Sequence, residues 1–229
     1  GFTDYTTVRA MNALYDGALV DCLGWNFSYL AMHRLEYSMY PDTPMTGAAW
    51  DFGSMQYGIA TYSKPALALT TVERTVGETA MQRFLSTYFD RYAFGHPRVG
   101  DVRATMEETL GAEVTTWFFN QLVNGDGVLD ARVVAIDTEQ ATLERDGDLC
   151  IPTTVRVTRD GRQAPETVAW PCDQPTLTID GAPRLVEIDP DSAIVLDQDL
   201  ANNQLRRAPD PTTGIGLAVR WLRFWQDFL

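Results

Sequence analysis

The chain is 229 residues long, with 18 basic and 31 acidic residues and a formal charge of −13 at pH 7. That length suits one or two domains whose core needs no metal or disulfide to hold together, and 45% hydrophobic with 21% charged residues argues against a disordered or collagen-like chain. The acidity argues against a nucleic-acid partner, because phosphate binding needs clustered Lys and Arg, and no run of 18 apolar residues is present to span a membrane.

The first half reads as helices. Residues 5–23 carry Val8, Met11, Leu14 and Tyr15 at spacings of three and four. Residues 27–37 place Phe27, Leu30, Ala31 and Leu35 on one face, and Pro41-Asp42-Thr43-Pro44 breaks the run. Residues 45–58 show no clear period and read as a loop against a packed surface or cleft. A third helix is expected from Ser63 to Gly77, with Pro65 in its first turn, where the missing N–H is not needed. Residues 78–92 form a fourth. Asp101 is the expected N-cap of a fifth, over 102–110, and 113–123 form a sixth. Six helices with short connections give a bundle or an orthogonal array.

The character changes at Asn124-Gly125-Asp126-Gly127, where a domain boundary is expected. Short β-branched runs follow, at 131–137, 141–145, 151–159, 166–170, 176–179 and 184–188. They are punctuated by Asp146-Gly147, Asp160-Gly161 and Asp180-Gly181, which read as hairpin signals. Six short strands suggest a small antiparallel sandwich. The tail, 213–229, returns to an amphipathic helix with Trp221, Trp225 and Leu229 on one face. It either docks on its own protein or lies at a membrane surface. The expected organisation is α+β and multidomain: 1–125 helical, 126–208 β-sandwich, 209–229 C-terminal helix.

Chemistry-bearing residues are sparse. The only histidines, His33 and His96, lie in no H-E-x-x-H, and no CxxC is present. His33 and Glu36 can share a helix face, but one such pair cannot close a zinc site. His33 therefore reads as a structural or surface residue, and His96 as packing or capping in its turn. Cys22 lies in an apolar helical context where a thiol is inert. Cys150 and Cys172 can pair, although two ordinary buried thiols are the favoured reading. No G-x-S-x-G, G-x-G-x-x-G or phosphate loop occurs.

The most informative segment is Tyr57-Gly-Ile-Ala-Thr-Tyr62-Ser-Lys64-Pro65-Ala-Leu-Ala-Leu. It resembles the stretch around the catalytic tyrosine of the gluzincin zinc aminopeptidases, the membrane alanyl aminopeptidase family, where Tyr-x-Lys-Gly precedes an apolar helix. Tyr62 and Lys64 match that pattern, and Tyr57 matches a second tyrosine five residues earlier in some members. Val76-Gly77-Glu78 with Met81, then Phe94-Gly-His96-Pro97 with Asp101, then Trp117-Phe118-Phe119 with Gln121, resemble the family's later helices in the same order. Ile188-Asp189-Pro190 and Asp199-Leu-Ala-Asn202-Asn203 resemble the closing strand and turn of bacterial relatives. Pro65 departs from the family's Gly, and Ser54 stands where some relatives carry an acidic residue in the substrate pocket.

The resemblance implies the helical C-terminal half of a thermolysin-like catalytic domain, followed by a sandwich. It implies Tyr62 as the catalytic residue that stabilises the tetrahedral intermediate, Tyr57 as a substrate-binding residue, peptides as substrates, and zinc as cofactor of a full-length parent. The family's last zinc ligand is a Glu followed by Gly-Phe, and this chain opens Gly1-Phe2. The zinc ligands are therefore expected upstream, and this portion alone is expected to bind no zinc and to be inactive. Bacterial relatives imply a periplasmic or envelope-associated setting. The alternative from a different class is a non-catalytic adaptor whose β-sandwich binds a peptide, protein or glycan.

Overall fold

The computed structural model describes residues 1–15, 17–22, 25–161, 164–208 and 215. The expected tail helix over 213–229, with the membrane contact attributed to it, lies outside the described residues except for Ile215, and the side chain of Cys22 lies outside them too. Among the described residues no helix is long and apolar enough to cross a membrane. The fold is α+β.

Helix α1 (Phe2–Tyr15) buries Tyr5 and Val8. The expectation of one helix through residue 23 is corrected, because the chain turns at Gly17 and forms a hairpin of β1 (Ala18–Cys22) and β2 (Trp25–Ser28). Gly17 has φ +76°, a left-handed conformation that suits glycine and stops a helix. Helix α2 (Tyr29–Met39) starts two residues later than expected because Ser28 caps it, its hydroxyl accepting from the Ala31 N–H at 3.0 Å.

Residues expected as a loop and a separate helix form one long helical run: α3 (Ser54–Gly58), a π-helical turn over Ile59–Ser63, and α4 (Lys64–Val76). Pro65 lies in the first turn of α4 as expected, but α4 continues a helical run instead of following a loop. An α-helix resists an internal proline, which removes one hydrogen bond and crowds the carbonyl four residues back. Here the π turn changes the register, with the Lys64 N–H bonded to the Ile59 carbonyl. Gly77, at φ +86°, separates α4 from α5 (Glu78–Tyr92). Helix α6 (Val99–Leu110) begins earlier than expected, so Asp101 is not its N-cap residue; its carboxylate accepts from the Arg98 N–H at 2.7 Å. Helix α7 (Ala112–Thr116) continues as a second π turn, Trp117–Val123.

Seven further strands follow: β3 (Asp130–Ile136), β4 (Gln140–Asp146), β5 (Thr153–Arg159), β6 (Glu166–Trp170), β7 (Thr176–Asp180), β8 (Pro183–Ile188) and β9 (Gln204–Arg206). They form two antiparallel sheets, ordered β3-β4-β7 and β6-β5-β8-β9, with β3 and β4 of the first meeting β8 of the second. Of the three Asp-Gly pairs, only Asp160-Gly161 lies in a hairpin loop, between β5 and β6. Asp146-Gly147 and Asp180-Gly181 carry the chain from one sheet to the other. The β3–β4 hairpin turns instead on Asp137, whose carboxylate accepts from the N–H groups of Glu139 and Gln140 at 2.7 and 2.8 Å.

Residues 189–199 strap the helices to the sheets. Arg34 donates to the carbonyls of Val195 and Asp197, and Arg74 to that of Ser192. Buried Asp197 accepts from the Ala131 N–H and from Asn203. One hydrophobic core runs through both halves, from Leu67 and Phe84 to Trp170 and Leu196.

Cys150 and Cys172 form a disulfide, which corrects the favoured reading of two separate thiols. Hairpin register explains it: Thr153 pairs with Trp170, so the residues just outside the β5–β6 pair meet, with Cα atoms 5.7 Å apart. With these two paired, at most one of the three cysteines is open to alkylation in unreduced, denatured protein. Reduction exposes the other two and, for a loop of this length, lowers stability by about 3 kcal/mol. Thiol counting by alkylation and mass spectrometry checks this; three reactive thiols without reductant would refute the pairing.

Candidate functional site

The π turn Ile59–Ser63 is the centre of the candidate site. Between Ile59 and Val72 every residue but one is buried or half-buried, and the exception is Tyr62, 47% exposed. A core helix thus holds a single phenol out toward solvent. Such π turns are energetically poorer than α-helix and recur at functional positions. Tyr57, on α3, is also exposed, as are Trp50 and Met55 nearby in sequence.

The turn is tied down from several sides. Pro65 has no N–H to give the Thr61 carbonyl, and the Gly1 nitrogen donates to that oxygen instead, at 2.9 Å. The first residue of the chain therefore sits against the turn that bears Tyr62. Ser63 is fully buried; its hydroxyl donates to the Glu36 carboxylate and lies 3.1 Å from His33 Nδ1. His33 is 2% exposed, packed edge-on against the Tyr29 ring, and burial lowers its pKa. Behind the turn, Gly1, Phe2, Ala60, Thr61, Phe118 and Phe119 line an apolar cavity of about 360 Å³.

Lys64, the chain's only lysine, is fully buried. Its ammonium donates to the carbonyls of Pro41 and Thr43 at 3.0 and 2.9 Å and ties α4 to the Pro41–Pro44 break. His96 is exposed in the turn before α6 rather than packed. Ser54, exposed, opens α3. Among the described residues no group of three His, Cys, Asp or Glu side chains is placed to hold a metal ion.

No family model matches the chain. Over 57 residues, 25% of this chain and 7% of the relative, it is 40% identical to aminopeptidase N of Streptomyces lividans. Among solved structures, aminopeptidase A of Legionella pneumophila, determined in complex with aspartic acid, matches with a TM-score of 0.52 at 12% identity. That match covers 86% of this chain and 23% of the other. The chain is thus similar in sequence to one aminopeptidase over a quarter of its length and in fold to another over most of it, and the matches cover less than a quarter of either protein.

Sequence reasoning noticed that His33 and Glu36 can share a helix face but missed Ser63, their common partner. Only a tertiary contact 27 residues away joins them. The cluster has the residue types of a hydrolase triad without its geometry. Base and acid both touch the same serine oxygen, that oxygen is buried, and its proton is given to Glu36. A nucleophilic serine needs an open oxygen, with the acid on the far side of the histidine.

Proposed function

We propose that this chain is the C-terminal portion of a zinc metallopeptidase, an aminopeptidase that removes N-terminal residues from peptides. The observation that carries this reading is Tyr62, the lone exposed side chain on a buried helical run, at the position matching the catalytic tyrosine of that family. The partial likenesses to two aminopeptidases support it.

Attack of water on a peptide carbonyl places negative charge on its oxygen. A phenol is neutral near pH 7 and has one hydrogen to donate. Tyr62 Oη–H donates to that oxygen as the charge develops and keeps its proton throughout. Tyr57, exposed five residues earlier in the same helical run, contacts the substrate in this reading. Zinc is the cofactor this reading implies for the complete protein. The described residues do not fit a zinc site by themselves, so its ligands belong upstream, and residues 1–229 alone hydrolyse nothing. The Cys150–Cys172 disulfide suits an oxidising compartment, and we place the protein in a bacterial periplasm or envelope. The adaptor alternative gains nothing from relatives that are aminopeptidases.

The test is the coding sequence upstream of Gly1 together with an assay of the complete gene product. A Glu directly before Gly1 is expected, with H-E-x-x-H ending roughly 19 residues before that Glu. The complete product then releases p-nitroaniline from aminoacyl p-nitroanilides and carries about one zinc per chain. Absence of the two histidines, or no hydrolysis by zinc-loaded product, would sink the proposal.

A further inference from the structure

Tyr62 lies between two residues whose polar groups are each held from outside the turn. On one side, the Thr61 carbonyl, left without its usual donor by Pro65, takes the Gly1 N–H. On the other, Ser63 is engaged twice by α2. Ser63 has one hydroxyl proton and gives it to Glu36, so the contact with His33 requires Nδ1–H as donor and the serine oxygen as acceptor. The His33 ring is fixed in turn by Tyr29, with ring centroids 4.7 Å apart and planes nearly perpendicular. The Tyr29 hydroxyl reaches Asp4 of α1 at 3.5 Å. Gly1, at the head of α1, and the α2 side chains thus clamp the π turn from two sides.

With Ser63 fully buried and its proton committed, this cluster cannot act on a substrate. What it can do is fix where the neighbouring phenol stands. We infer that Ser63, held by Glu36 and His33, is a positioning residue that sets Tyr62 for its hydrogen bond to the reacting carbonyl. The inference rests on the proposed role of Tyr62. A donor displaced by about 1 Å can cost roughly a hundredfold in rate, so the clamp contributes to turnover without touching substrate.

The experiment is a double-mutant cycle on the complete gene product, with Ser63→Ala, Tyr62→Phe and the pair, and with ring-¹³C-tyrosine NMR of the same proteins. Ser63→Ala is expected to lower kcat roughly 10–100-fold with KM nearly unchanged. In the Tyr62→Phe background it is expected to lower kcat no further, because there is no hydroxyl left to position. The Tyr62 resonance, identified by its loss in Tyr62→Phe, should shift and broaden in Ser63→Ala. An equal drop in both backgrounds means a merely structural serine and overturns the inference. If Tyr62→Phe leaves turnover intact, the catalytic reading of Tyr62 fails separately. The clamp is then judged by NMR alone, where an unmoved Tyr62 signal overturns it. Glu36→Gln, which keeps the side-chain size and weakens the bond to Ser63, repeats the test with a smaller effect should Ser63→Ala fold poorly.

Discussion

Replacing Tyr62 by Phe in the complete protein should lower kcat by about 10²–10³, with KM nearly unchanged and metal content the same. The change removes one oxygen from a side chain that is half-exposed and makes no hydrogen bond among the described residues, so the fold loses almost nothing. The loss falls on the transition state, because the carbonyl oxygen acquires its charge there and a neutral carbonyl needs the donor far less. Tyr57 behaves differently under the proposed assignment. As a contact to bound substrate rather than to developing charge, its replacement should raise KM with a smaller effect on kcat. Steady-state kinetics of both variants, with zinc measured on each, separates the roles. Unchanged turnover in Tyr62→Phe would remove the assignment, and a drop in bound metal would mean the substitution disturbed something other than a donor.

Much of the architecture is legible in the sequence where one local signal dominates. Helix α5 runs from Glu78 to Tyr92 as its periodicity says, because Gly77 bounds it and its apolar positions repeat cleanly. Six strands of the second half fall within a few residues of where β-branched alternation puts them. The errors share a cause. Asp-Gly states that the chain turns but not which strand it will next pair with, so two expected hairpins are crossings between sheets. Residues 18–23 continue an apolar spacing that looks helical, and Gly17 outweighs it by adopting positive φ. Pro65 marks the start of α4 correctly, but it gives no sign of the helical run, α3 and the π turn, that leads into it. The π turn that absorbs it, and the Gly1 nitrogen that takes over the orphaned Thr61 carbonyl, are tertiary arrangements with no one-dimensional signature. At the candidate site, the motif pointed to Tyr62, Lys64 and Tyr57. The exposure of Tyr62, the burial of Lys64 and the Ser63 clamp needed the fold.

Lys64→Ala should be among the most destabilising single substitutions in the chain, at about 3–5 kcal/mol, measured by denaturant unfolding near pH 7. The side chain is fully buried, and its ammonium satisfies two carbonyls that otherwise lose their donor. Each charge-assisted bond is worth about 1.5–3 kcal/mol, and the vacated four-carbon stem leaves a cavity as well. Lys64→Met separates these contributions. It refills the volume and removes the cost of burying a charge, but the carbonyls of Pro41 and Thr43 stay unpaired, so it should cost about half as much. Desolvation brings the Lys64 pKa down to about 8, against the pull of Asp126 and Asp42 in the other direction. The unfolded chain keeps that proton up to about pH 10.5, so between the two values the unfolded state binds more protons and stability rises with pH. The charge thus costs the fold below pH 8, and the cost is lifted above it, while the neutral amine still donates to the two carbonyls. The stability gap between wild type and Lys64→Met should therefore widen between pH 8 and 10.5, by at most about 3 kcal/mol. A gap that stays flat or narrows over that range would mean that Lys64 is not buried beside these carbonyls, and the link from α4 to the Pro41–Pro44 break would have to be redrawn.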